Sequence, residues 1–161
     1  MTATAPRQSD GAMPIVLPSG PIKLEIPAAI DYVSVARLVV GAVAASDDRL
    51  SESRREDLKL AVSEACTNAV KARGDHDTPH RVVVSLQFTP ESFVIDVADE
   101  GGGFDPSTAS DSPLIDEEKL ANEGGFGIPL MRVLSDRTEF ETKKTGTTVR
   151  LVFYRPVPEV D

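Results

Sequence analysis

The sequence predicts an α+β domain: a two-layer α/β sandwich with helices on one face of a mixed, mostly antiparallel sheet. Three observations predict it. Short runs alternate apolar and polar residues near the start, in the middle and near the end of the chain, the period of half-buried strands. Two proline-free stretches, 29–45 and 53–72, are rich in apolar residues, the second at helical spacing. The resulting order is strand, helix, helix, strand, strand, long connection, helix, strand, strand, which suits helices segregated to one side of a sheet.

The first twenty residues carry Pro6, Gly11, Pro14, Pro18 and Gly20 without a lasting apolar period, and read as a flexible leader (1–20). The folded domain is expected over 21–155, with a short tail at 156–161. Ile22 to Ile26 alternates apolar and polar and predicts the first strand. Ala29 to Ala45 predicts a helix, closed by Asp47 and Asp48. The second helix is expected to start at Ser53, because Ser53-Arg54-Arg55-Glu56 has capping-box spacing. Leu58, Ala61, Val62, Ala65 and Ala69 then form one buried stripe ending near Ala72. After the Gly74 to Pro79 break, Arg81 to Phe88 and Ser92 to Val97 read as a hairpin around Pro90-Glu91. Roughly twenty residues after Gly101-Gly102-Gly103 carry no period, and a connection that long inside a compact domain usually has a function. Gly127 to Leu134 resumes helical spacing, and Thr138 to Thr142 and Thr147 to Phe153 are the closing strands.

Composition narrows the function. A length of 161 residues, 40% hydrophobic and 27% charged, is one soluble domain's worth. The longest apolar run, Leu38 to Ala45, is far short of the roughly 18–20 residues that cross a bilayer. No membrane partner is expected, and the absence of a secretory pattern in the leader predicts a cytoplasmic address. Cys66 is the single cysteine, which leaves neither an internal disulfide nor a zinc cluster; inside a helix it reads as a small buried hydrophobe. His76 and His80 have no ligand-spaced neighbours and read as surface residues. A net charge of −9 repels phosphate backbones, so direct nucleic-acid binding is not expected, whereas a basic protein or a metal-neutralised nucleotide is compatible.

Three segments can carry chemistry. Glu64 and Asn68 stand at i and i+4 on the second helix, so a carboxylate able to take a proton and an amide oxygen suited to Mg²⁺ share one face. Asp99-Glu100-Gly101-Gly102-Gly103-Phe104 closes a strand. There glycines admit a close ligand, and a carboxylate can accept a hydrogen bond from an exocyclic amine. Gly124-Gly125-Phe126-Gly127-Ile128 opens a helix whose free N–H groups and dipole suit an anion. Taken singly, these are most simply a polar helix face, a tight turn and a helix start.

Taken together and in this order, the set resembles the ATP-binding domain of the GHKL superfamily of gyrase B, heat-shock protein 90, histidine kinases and MutL. Within it, the chain resembles the small anti-sigma-factor serine kinases of bacterial stress and sporulation control. Leu58 to Ala69 is similar to that family's N box, Asp99 to Phe104 to its first glycine box, Gly124 to Ile128 to its second, and Gly146-Thr147-Thr148 to its closing Gly-Thr pair. The resemblance implies a Bergerat-type fold binding ATP with Mg²⁺. Asn68 would hold the metal and Glu64 would act as general base toward a serine or threonine hydroxyl. Asp99 would accept from the adenine amino group, with Gly101, Gly103 and Phe104 shaping the base pocket. Gly125, Gly127 and Ile128 would bring backbone donors to the phosphates, Thr148 would support Asp99 or the adenine, and residues from about Asp105 to Glu123 would form an ATP lid. Arg37 aligns with the first-helix arginine that the family uses toward its sigma factor.

Two features depart from the family's pattern. Val70-Lys71-Ala72-Arg73 follows Asn68, where the family often carries a histidine and an aromatic, and Lys119 is the one cation among the acids between Asp111 and Glu123. Lys71, Arg73 and Lys119 are the cations that could face a γ-phosphate, and each also reads as a solvated surface charge. The implied function is an anti-sigma factor, commonly homodimeric, that binds a sigma factor and phosphorylates its STAS-type anti-anti-sigma antagonist. Two alternatives stand beside it: an ATP-binding module that sequesters a regulator with little or no kinase activity, and a detached histidine-kinase catalytic domain.

Overall fold

Strand pairing and helix amphipathicity sort the chain into two layers. The computed structural model of the protein describes residues 20–72, 80–99, 127–144 and 146–157. Strand β1 (Ile22–Pro27) sets Ile22, Leu24 and Ile26 opposite Leu86, Val84 and Val82 of β2 (Arg81–Phe88). A turn held by Thr89, whose hydroxyl accepts from the backbone N–H of Ser92 at 2.9 Å, returns the chain into β3 (Ser92–Asp99). Strands β4 (Arg137–Lys143) and β5 (Gly146–Tyr154) form a second hairpin, and β5 inserts between β3 and β4. The sheet order is β1-β2-β3-β5-β4, and all four pairings are antiparallel. The expected mixed sheet is therefore antiparallel throughout its described strands.

Pleat alternation decides which residues meet the helices. Val82, Val84 and Leu86, Phe93, Ile95 and Val97, and Val149, Leu151 and Phe153 are buried on one face. Against them pack Val33, Ala36, Val40 and Ala44 of α1 (Val33–Ala45), Leu58, Ala61, Val62, Ala65 and Cys66 of α2 (Glu52–Lys71), and Ile128 and Met131 of α3 (Gly127–Leu134). Fully burying each leucine, isoleucine, valine or phenylalanine stabilises the fold by about 1.5–3 kcal/mol. The opposite face is polar at its centre, where Arg150 forks onto both oxygens of Asp96 at 2.7 and 2.8 Å.

Several expectations are corrected. The cap of α2 is Ser51, not Ser53: its hydroxyl accepts from the backbone N–H of Arg54 at 3.2 Å. The earlier start follows directly on Leu50, which is buried and anchors the chain just before the cap. The first helix does not begin at Ala29, because a 3-10 turn (Ile30–Tyr32) precedes α1. His80 is buried rather than on the surface, and its carbonyl accepts from the N–H of Ala28 at 2.9 Å, continuing the β1–β2 pairing outward. Cys66 is buried as expected. No helix among the described residues is long and apolar enough to cross a membrane.

Candidate functional site

Where α2 ends, a cleft of about 280 Å³ opens between it and the sheet. One wall is the small-residue side of α2, where Ala65, Ala69 and Ala72 keep the helix surface low. The other is the sheet, through Val97 of β3, Val149 of β5 and Phe140 of β4, with Ile128 of α3 closing one side. Polar groups stand at the rim: Asn68 and Lys71 on α2, Asp99 at the last position of β3, and Thr147 on β5. Apolar walls with a few convergent polar groups suit a flat heteroaromatic ring, and the volume is near the roughly 300 Å³ lower end of small-molecule sites.

Two glycines mark close approaches at this site. A side chain on Gly127 would put its first carbon 3.1 Å from Glu64 Oε2 and 3.2 and 3.3 Å from the amide nitrogen and oxygen of Asn68. The start of α3 thus lies directly against the carboxylate and the amide, which α2 presents one turn apart. Helix α3 begins with backbone N–H groups that lack intrahelical acceptors and with the positive end of its dipole. A carboxylate, an amide and these donors therefore meet beside the cleft, which Asn68 and Ile128 line, a set suited to a phosphate with its metal ion. Gly146 has φ +141°, and a side-chain carbon there would fall 1.8 Å from the carbonyl oxygen of Asp99. Only glycine lets β5 begin in such close contact with the end of β3.

One site expectation is corrected by strand register. Ala98 pairs with Thr148 and Val97 with Val149, so Thr148 shares the face of Asp96 and Arg150, away from the helices. Thr147 is the threonine that lines the cleft. The structure brings Glu64, Asn68, Gly127 and Ile128 together, with Asp99 across the cleft from α2. Lys71 lines the same cleft, which adds a cation beside the amide. Gly101, Gly103, Phe104 and Gly125, the expected lid, Arg73, His76 and Lys119 lie outside the described residues. Arg37 is exposed on α1, well outside the cleft's lining, with Val35 and Leu38 exposed beside it. Burial of Cys66, two residues from Glu64, pushes its thiol up to about 12. It is therefore neutral and unreactive in the folded protein.

The profile of the histidine kinase-like ATPase domain matches residues 26–153. The chain belongs to that family. Among curated members, it is 36% identical over 151 residues to the serine-protein kinase RsbW of Bacillus pumilus, covering 87% of this chain and 89% of the relative. The RsbW kinase of Bacillus subtilis strain 168 is 34% identical over 149 residues with the same coverage. That of Staphylococcus aureus strain Newman is 30% identical over 138 residues, covering 83% and 86%. A crystal structure of RsbU and RsbW domains from Mycobacterium tuberculosis superposes with a TM-score of 0.61 at 19% identity, covering 89% of this chain and 35% of that one. Membership in the histidine kinase-like ATPase family implies that the chain binds ATP.

Proposed function

We propose that the protein is an anti-sigma factor and serine/threonine kinase: it holds a sigma factor and uses Mg-ATP to phosphorylate a hydroxyl on the STAS-type anti-anti-sigma antagonist. The observation that carries this reading is the close approach of Gly127 to both Glu64 and Asn68, which brings a carboxylate, an amide and a helix N-terminus together beside one cleft. The identity with RsbW serine-protein kinases over most of the chain supports the same reading.

Asp99, at the closed end of β3, accepts from the adenine amino group, and Gly101, Gly103 and Phe104 complete the base pocket. Thr147, rather than Thr148, stands on the cleft side to support that end. The amide oxygen of Asn68 fits a magnesium ion, which supplies charge neutralisation on the phosphates when bound. The first N–H groups of α3, with Gly125 ahead of it, hold phosphate oxygens, and Lys71 adds a positive charge. Glu64 takes the proton of the antagonist's serine or threonine as that oxygen bonds to the γ-phosphorus and ADP leaves. Phosphorylation adds roughly −1.5 to −2 charge to the antagonist, which this acidic chain repels. Arg37, with the exposed Tyr32, Val35 and Leu38, forms the face offered to the sigma factor, and the active species is a homodimer in the cytoplasm. The folded unit spans 21–155 between a leader and a tail.

The test is a time course with Mg-ATP and the antagonist. Glu64→Gln is expected to bind ATP normally and to lose about 10²–10⁴-fold in transfer rate. Undiminished transfer by that variant removes Glu64 from the base role, and wild-type protein that binds ATP without ever labelling an antagonist overturns the kinase reading.

A further inference from the structure

Helix α3 is held at both ends. Its start abuts Glu64 and Asn68, and its other end is gripped by one guanidinium, that of Arg54 in the first turn of α2. Arg54 Nη1 donates to the carbonyl oxygen of Leu134, the last residue of α3, at 3.0 Å. Its Nη2 pairs with Asp136 in the turn that leads into β4. The same Asp136 oxygen accepts from the backbone N–H of Tyr154 at 2.7 Å, and the N–H of Asp136 donates to Val152 at 3.0 Å. The guanidinium also lies 5.2 Å from the ring centre of Phe153. One side chain therefore joins the start of α2, the end of α3 and the end of β5.

The two helices run antiparallel, so Arg54 and Asn68 stand at opposite ends of α3. From Arg54 to Glu64 is about 15 Å along α2 at about 1.5 Å per residue. With its C-terminal carbonyl held by Arg54, sliding of α3 along α2 or tilting of its first N–H groups away from Asn68 must break these contacts. A cation at that terminus also complements the helix dipole. We infer that Arg54 is a positioning residue for ATP binding: together with Asp136 it sets the placement of α3, and through α3 the placement of the phosphate donors beside Glu64 and Asn68. This rests on the ATP site proposed above. Because the same α3 donors meet the phosphates before and during transfer, the loss on removing Arg54 falls on KM rather than kcat.

The experiment compares Arg54→Ala, Arg54→Lys and a control, Arg49→Ala, in ATP KM, kcat, thermal midpoint and amide exchange across Gly127–Leu134. Arg49 also joins a carboxylate and a carbonyl, those of Asp47 and Pro90, but outside α3. Arg54→Ala is expected to raise the ATP KM about fivefold, equivalent to about 1 kcal/mol, with kcat within about twofold and faster exchange in α3. A lysine keeps the charge but not the fork, so Arg54→Lys recovers thermal stability more than KM. Arg49→Ala lowers the midpoint and leaves KM unchanged. An Arg54→Ala protein that melts earlier with wild-type KM overturns the inference. If that variant does not fold, Arg54→Lys, which lacks the fork to Leu134 and Asp136, is read in its place, and an unchanged KM there has the same meaning. If wild-type protein binds no ATP, the ATP reading has failed instead. Unaltered α3 exchange in Arg54→Ala then overturns the clamp by itself.

Discussion

At one end of β3 and β5, a charged pair is sealed in; at the other, polar groups face a cleft. Asp47 and Arg155 are both buried, at 6% and 5% exposure. Arg155 pairs with Asp47, donates to the Thr89 carbonyl, lies 5.0 Å from the Phe88 ring centre and donates its backbone N–H to Glu91 at 2.8 Å. Arg55 donates to the Asp47 carbonyl at 3.0 Å, and Arg49 approaches its carboxylate. That end stitches the α1–α2 turn, the β2–β3 turn and the end of β5 together. At the Asp99 end, the strands stop at a glycine contact and the side chains of Asn68, Asp99, Lys71 and Thr147 line an open space. Charges paired inside the protein tie distant segments together; polar groups that line a cleft stand where a ligand can reach them.

The contrast breaks most sharply at Gly146. An alanine there meets the Asp99 carbonyl and must also hold φ +141°, so overpacking and backbone strain add to about 2–6 kcal/mol. Gly146→Ala is expected to lower the thermal midpoint and, by displacing Asp99, to reduce ATP affinity in calorimetry. Wild-type affinity in that variant breaks the link between this contact and the cleft. Next comes Arg155→Ala, which leaves Asp47 buried without its main partner and is expected to cost about 3–5 kcal/mol in denaturant unfolding. Its ATP affinity at a temperature where it stays folded should match wild type, because the loss is at the far end. The smallest effect is on pH. Burial alone would raise the Asp47 carboxyl, but the hydrogen bond from Arg155, the Arg49 N–H and the charges of both arginines outweigh it and hold the group below its ordinary 3.8. Its contribution to stability is complete above that ordinary value and is lost as pH falls through the lowered one. An acid titration of Asp47→Asn is expected to show a shallower loss of stability below about pH 4 than wild type.

Much of this architecture was legible because it is local. Alternation and β-branched richness located every described strand to within two residues, and i, i+3, i+4 spacing found α2 and α3. Glu64 and Asn68 on one helix face needed only helical geometry. What was not legible depends on pairing between distant segments. Thr147 and Thr148 are distinguished only by the register Ala98 to Thr148, since a one-residue shift exchanges the faces. Gly146 is visible as part of a Gly-Thr pair, yet the Asp99 carbonyl that requires it is far away in the chain. Arg54 belongs to what looks like a charged helix start, and its partners Leu134 and Asp136 lie 80 and 82 residues on. The Ser51 cap was available, but Ser53 offered the fuller Ser-x-x-Glu pattern, and local spacing cannot see that Leu50 is already buried.

Cys66 gives the chain a built-in clock. With one thiol, fully covered between α2 and the sheet and held protonated, an alkylating reagent can label the protein only when this helix lifts. The labelling rate therefore counts openings of the wall that carries Glu64 and Asn68, molecule by molecule, with no dye or tag added.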